Sequence, residues 1–71
     1  MTQRIIRLKE VQHLTGLSRS SIYQFMSNRQ FPQSISLNSR ATGWRLEDIE
    51  SWILSRIAIR DEKMAGANNN G

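Results

Sequence analysis

The sequence predicts a mainly α-helical domain of three helices with one small β-hairpin, and three observations carry that expectation. First, residues 15–25 read Thr-Gly-Leu-Ser-Arg-Ser-Ser-Ile-Tyr-Gln-Phe. A helical pattern stops at Gly16, one apolar residue follows, and Ser18 starts a new helix at once. Two helices across so short a Gly-containing turn form a helix-turn-helix. Second, the apolar period changes from helical to alternating between Pro32 and Arg45, as in a hairpin. Third, residues 46–63 return to a helical pattern long enough to back the other two. A helix-turn-helix followed by a hairpin and a closing helix is a winged helix-turn-helix.

Taken in order, residues 1–7 are expected to be extended, with Ile5-Ile6 supplying a short strand or an anchor to the core. Helix 1 is expected from about Leu8 to Thr15, its apolar stripe formed by Leu8, Val11 and Leu14 and its stop by Gly16. Leu17 plugs the angle between the helices. Helix 2 is expected to begin at Ser18, whose hydroxyl can accept from an unpaired amide two or three residues on. Ile22, Phe25 and Met26 form its buried stripe, and the helix is expected to fray near Asn28-Arg29, ahead of Pro32. Ile35 and Leu37 alternate with Ser34, Ser36 and Asn38 as in a half-buried strand. Asn38-Ser39-Arg40-Ala41 is the turn, in which Asn38 can take the left-handed conformation, and Thr42–Arg45 is the return strand. Trp44 is expected to pack back onto the helices. Helix 3 is expected from about Leu46 or Glu47 to about Lys63, with Ile49, Trp52, Ile53 and Ile57 toward the core and Glu47, Asp48 and Glu50 at its dipole-favoured start. The domain is therefore expected over 1–64, with a disordered tail at 65–71 that has nothing to bury.

With 71 residues and no cysteine, the chain is expected to be one domain without disulfide, thiolate nucleophile or Cys-based metal site. No apolar run approaches the roughly 20 residues of a membrane span. The opening Met-Thr-Gln-Arg-Ile-Ile-Arg is no secretory signal, so a soluble, cytoplasmic protein is expected. Charge is unevenly placed. Residues 1–45 carry seven basic residues against the single acid Glu10, for +6, whereas residues 46–71 carry three against five, for −2. A basic front half suits a protein that presents one face to a polyanion.

Five pieces, in order and at these spacings, resemble a known family: Arg7-Leu8-Lys9-Glu10-Val11; Thr15-Gly16-Leu17-Ser18-Arg19-Ser20-Ser21-Ile22-Tyr23; Phe31-Pro32; Leu37-Asn38-Ser39-Arg40 with Trp44; and Glu47-Asp48-Ile49 with Trp52-Ile53. The chain resembles the AlpA family of small prophage transcriptional regulators, which are similar in turn to phage excisionases and to the winged-helix domain of MerR-type regulators. The resemblance covers roughly residues 4–55. It implies a DNA-binding winged helix-turn-helix that acts at a promoter or assists prophage excision. The recognition helix would follow Ser18 and the wing would span Leu37 to Trp44. The family often has Gly after the wing leucine, where this chain has Asn38. Ligand sensing of the MerR type is not implied.

Candidate DNA-binding residues follow from type and position. Arg19 sits in the first turn of helix 2, where a cation opposes the helix dipole and gains nothing locally, so a phosphate or a guanine is its expected partner. Ser20 and Ser21 are either helix-start residues or, with the free amides nearby, a phosphate site. Tyr23 and Gln24 lie one turn further on; Gln pairs bidentately with adenine, and Tyr more often bonds a phosphate. Arg40 at the wing tip suits a minor groove, and Lys9 at the start of helix 1 suits a phosphate. Trp44 and Trp52 lie within core stripes and read as packing rather than as base-stacking platforms. His13 has no second metal ligand near it. Glu47, Asp48 and Glu50 come without nucleophile or phosphate loop, so no enzyme, cofactor or metal is expected.

The expected function is thus sequence-specific binding of double-stranded DNA by a small phage-type transcriptional regulator. An excisionase-like architectural factor that bends DNA for a recombinase is the alternative. A protein-interaction adaptor using the exposed Leu54 and Ile59 of helix 3 is a second one. Expected partners are double-stranded DNA, a second copy on DNA, and RNA polymerase or a site-specific recombinase, with no membrane.

Overall fold

The computed structural model describes the backbone of residues 4–70 and the side chains of residues 4–64. The element order is β1 (Ile5–Ile6), α1 (Leu8–Thr15), α2 (Arg19–Ser27), β2 (Ile35–Asn38), β3 (Ala41–Arg45) and α3 (Leu46–Asn70). Each lies where the sequence places it, except that α3 runs past the end expected near Lys63. The side chains of the tail expected over 65–71 lie outside the described residues.

The helix-turn-helix turn is held by local chemistry. Gly16 adopts φ 73°, and its N–H donates to the Gln12 carbonyl. The Thr15 hydroxyl donates to the Val11 carbonyl at 2.7 Å and accepts from the Leu17 amide at 3.3 Å. Ser18 is the N-cap of α2, its Oγ accepting from the Ser21 amide at 3.1 Å. Such a cap contributes about 1 kcal/mol.

The far end of α2 is closed by a Schellman motif. The Gln30 amide donates to the Phe25 carbonyl at 2.8 Å and the Arg29 amide to the Met26 carbonyl at 3.0 Å. The motif needs a left-handed residue, and Arg29 supplies it at φ 58°. This turn, three residues ahead of Pro32, is what stops α2. A non-glycine residue pays roughly 1 kcal/mol for that conformation. Arg29→Gly is therefore expected to raise stability by about 0.5–1 kcal/mol, read as a higher urea midpoint at unchanged m-value.

The connection from α2 to β2 is irregular yet anchored. The indole N–H of Trp52 donates to the Gln30 carbonyl at 2.8 Å and that of Trp44 to the Pro32 carbonyl at 3.0 Å. Phe31 is buried and meets the Trp52 ring edge-on at 4.8 Å. Both tryptophans are structural, as the core stripes predict.

The sheet is antiparallel, in the order β1-β3-β2. β1 lies so close to β3 that a Cβ on Gly43 would fall 2.5 Å from Ile5 Cγ2 and 3.0 Å from the Ile6 carbonyl oxygen. The hairpin turns through Ser39-Arg40, with a bulge on β2 between Ser36 and Asn38 that leaves Leu37 without a partner opposite. Asn38 does not use the left-handed conformation. Its Oδ1 accepts from the Arg40 amide at 2.8 Å, which closes an Asx turn instead.

The core comprises Ile6, Val11, Ile22, Phe31, Trp44 and Ile49, with Leu8, Leu17, Phe25, Met26, Leu46, Trp52 and Ile53 packed around it. Four residues expected to face inward do not. Ile35 and Leu37 are exposed because α1 and α3 pack on β3, and β2 lies outside that cover. Leu14 and Ile57 are exposed because α1 ends, and α3 runs on, beyond the edge of the core.

Candidate nucleic-acid interface

Where the starts of α1 and α2 meet the wing, one open cleft is lined by Arg7, Leu8, Lys9, Arg19, Tyr23, Arg40 and Thr42. It holds four cations and no acid. Three of the six basic residues elsewhere are tied up: Arg4 pairs with Glu10 at 3.0 Å, Arg45 with Glu47 at 2.7 Å and Asp48 at 3.6 Å, and Arg60 with Asp61 at 2.7 Å. None of the four cleft cations has an ion-pair partner among the described residues. Like charges gathered without compensation raise the local positive potential. The start of α2 adds to it, because its first turn has no acid and its dipole points positive into the cleft.

Of the residues singled out in the sequence, Lys9, Arg19, Tyr23 and Arg40 come together in this cleft. The Arg19 guanidinium lies over the Tyr23 ring, 5.6 Å from its centroid, one helical turn along. Ser20 and Gln24 are exposed on the adjoining ridge of α2. At about 100° per residue, Ser27 extends that ridge, so Ser20, Gln24 and Ser27 form one polar line at i, i+4 and i+7. Ser21 is placed differently: it is half-buried, its amide is held by the cap, and its hydroxyl accepts from Ser18 Oγ at 3.0 Å.

Three residues that sequence reasoning passed over belong to this surface. Arg7 enters the cleft as the residue preceding α1, and Thr42 as the outward member of β3. Ser27 carried a readable signal in its spacing from Ser20 and Gln24. Arg7 and Thr42 did not, because their convergence depends on how the wing folds back. His13 is exposed on α1, and no group of three His, Cys, Asp or Glu able to hold a metal occurs among the described residues. No helix among them is long and apolar enough to cross a membrane.

A helix-turn-helix backed by a third helix and flanked by a hairpin, with four cations, unpaired among the described residues, gathered where α1, α2 and the wing meet, is a winged helix-turn-helix module. The family described as Prophage CP4-57 regulatory protein (AlpA) matches residues 4–57, and the chain belongs to this AlpA family. It is 30% identical over 62 residues to the "DNA-binding transcriptional activator AlpA" of Escherichia coli K12, covering 79% of this chain and 89% of that protein. It is 40% identical over 58 residues to "Uncharacterized protein ORF88" of Enterobacteria phage P4, covering 82% of this chain and 66% of the phage protein.

Proposed function

We propose that this chain is a sequence-specific, double-stranded-DNA-binding transcriptional regulator in which α2 enters the major groove by its N-terminal end. The observation that carries the reading is the convergence of Arg7, Lys9, Arg19 and Arg40, all without ion pairs among the described residues, beside the exposed ridge of α2. Membership of a family of prophage regulatory proteins supports it, as does the name of the Escherichia coli relative.

In this reading Arg7 and Lys9 hold phosphates and supply salt-dependent affinity. Arg19, steadied by Tyr23, reaches a phosphate or the O6 and N7 of a guanine. Ser20, Gln24 and Ser27 meet base edges, and Arg40 follows the wing onto the flanking backbone or minor groove. Ser21 acts through the cap, which fixes the angle at which α2 is presented. The protein performs no catalysis, works in the cytoplasm, and influences transcription by recruiting or excluding polymerase.

The test is fluorescence anisotropy with DNA flanking the protein's own gene, against scrambled DNA of equal length, across a salt series. Preference for the flanking DNA, a log–log salt slope of roughly −3 to −6, and a loss of about tenfold or more on Arg19→Ala are expected. Absence of binding to either DNA at low salt overturns the proposal. A second reading, the excisionase-like factor, shares the same interface and adds contacts between neighbouring copies. The exposed Leu54 and Ile59 of α3 favour keeping it.

A further inference from the structure

Helix α3 carries two stripes of identical spacing on opposite flanks. Glu50, Leu54, Ile57 and Asp61 recur at i, i+4, i+7 and i+11, and so do Trp52, Arg56, Ile59 and Lys63. A two-residue offset rotates one stripe about 200° from the other. The first stripe is acidic at both ends and apolar between. The second is apolar with two cations. Leu54 is 64% exposed, and Ile57 and Ile59 are 40% and 41% exposed.

Each stripe is extended by a neighbouring element of matching character. Leu14 of α1 joins Glu50, Ile53 and Leu54 around an apolar hollow. On the other flank, Arg29, Pro32 and Gln33 of the α2–β2 connection join Trp52, Arg56 and Ile59 along an open groove. Its one acid, Asp48, is paired with Arg45. Glu50, Arg29 and Arg56 have no ion-pair partner among the described residues; Arg56 lies over the Trp52 ring at 5.9 Å. Arg29 holds its place in a turn that glycine would fill with less strain.

We propose that copies of this chain associate head to tail, the acidic, apolar flank of α3 in one copy seating against the basic, apolar groove of the next. Leu54 is the knob, Trp52, Pro32 and Ile59 are the floor, and Glu50 faces Arg29 and Arg56. A contact between two different faces is heterologous, so it links copies in series, as a row or a ring, rather than as a symmetric dimer. The handful of apolar side chains involved falls well short of the roughly 800 Å² per partner of a stable interface. The contact is therefore weak in free solution and becomes effective between copies that DNA already holds side by side. None of these residues lines the cationic cleft, so both surfaces can be engaged together. The assembly on DNA rests on the proposed DNA reading; the contact itself does not.

Charge reversal tests it. Glu50→Arg and Arg56→Glu each place like charges across the contact, whereas the two changes in one chain, or a one-to-one mixture of the single variants, restore opposite charges. In sedimentation equilibrium at millimolar protein without DNA, the wild type is expected to self-associate and each single variant to be monomeric. The double variant and the mixture are expected to associate again. Circular dichroism checks that all of them fold. On a duplex long enough for several copies, the second copy of wild type is expected to bind about tenfold tighter than the first. That gain should vanish in the single variants and return in the double, with binding to a duplex that seats one copy nearly unchanged for Glu50→Arg. A wild type that stays monomeric at millimolar concentration, single variants that associate as it does, or a double variant and mixture that fail to recover each overturn the proposal. Because sedimentation uses no DNA, it decides the contact even where the DNA reading fails.

Discussion

Replacing Arg7, Lys9, Arg19 and Arg40 together by Gln is expected to weaken DNA binding about 10³-fold at roughly 0.15 M salt and to flatten the log–log salt slope by between 3 and 4. Each cation that neutralises a phosphate releases close to one counterion, so the four losses multiply in affinity and add in slope. The four side chains are exposed and none is in an ion pair among the described residues, so the fold loses little beyond the surface contact of Arg19 with Tyr23. The control is a second quadruple variant, with Arg29, Arg56, Arg60 and Lys63 changed to Gln, assayed on a duplex that seats one copy. It alters net charge by the same amount while leaving the cleft intact. A site at the cleft predicts a loss at least tenfold smaller for the control. Equal losses would mean that total charge, and not the cleft, governs binding, and would remove the structural basis of the proposed interface.

Trp44→Ala is expected to have the largest effect on folding. Trp44 is fully buried at the centre of the core, on the strand that pairs with both β1 and β2, and its indole N–H holds the Pro32 carbonyl. Removing a buried aromatic of this size costs about 3–5 kcal/mol. A domain of this length has a total stability on the order of 5–10 kcal/mol. The variant should therefore lose about half of that stability and melt roughly 25–35 °C below the wild-type midpoint. Trp44→Phe keeps most of the volume and gives up the hydrogen bond, so a loss of about 1–2 kcal/mol is expected. Urea denaturation of the two variants separates packing from hydrogen bonding. A Trp44→Ala protein that melts within a few degrees of wild type would contradict the core as described.

The legibility of this chain followed the range of the interactions concerned. The Gly16 stop, the Ser18 cap and the change of period after Pro32 are written in neighbouring residues, and the boundaries of α1 and α2 could be read from them. The Schellman turn at Arg29 was hidden, because an arginine occupies the position where glycine would have signalled it. The exposure of Ile35 and Leu37 was also hidden, since alternation marks a strand with two unlike faces and does not say whether a helix covers the apolar one. At the candidate interface, the positions of Arg19, Tyr23 and Gln24 on α2 and of Arg40 at the hairpin turn followed from helix and turn spacing. Arg7 and Thr42 needed the hairpin to fold back across the start of α1, a long-range contact that local spacing does not encode.

β2, the outer strand of the sheet, presents unpaired main-chain groups along one side and apolar side chains above them, which is a template for strand addition by another molecule. The bulge at Leu37 breaks the regular hydrogen-bonding repeat halfway along that edge, and Pro32 removes an amide just before it. An incoming strand could align over only two or three residues before losing register. In the proposed DNA reading the wing has to keep an open edge, and the irregularity within the strand is the kind of feature that shortens the stretch another strand could pair with.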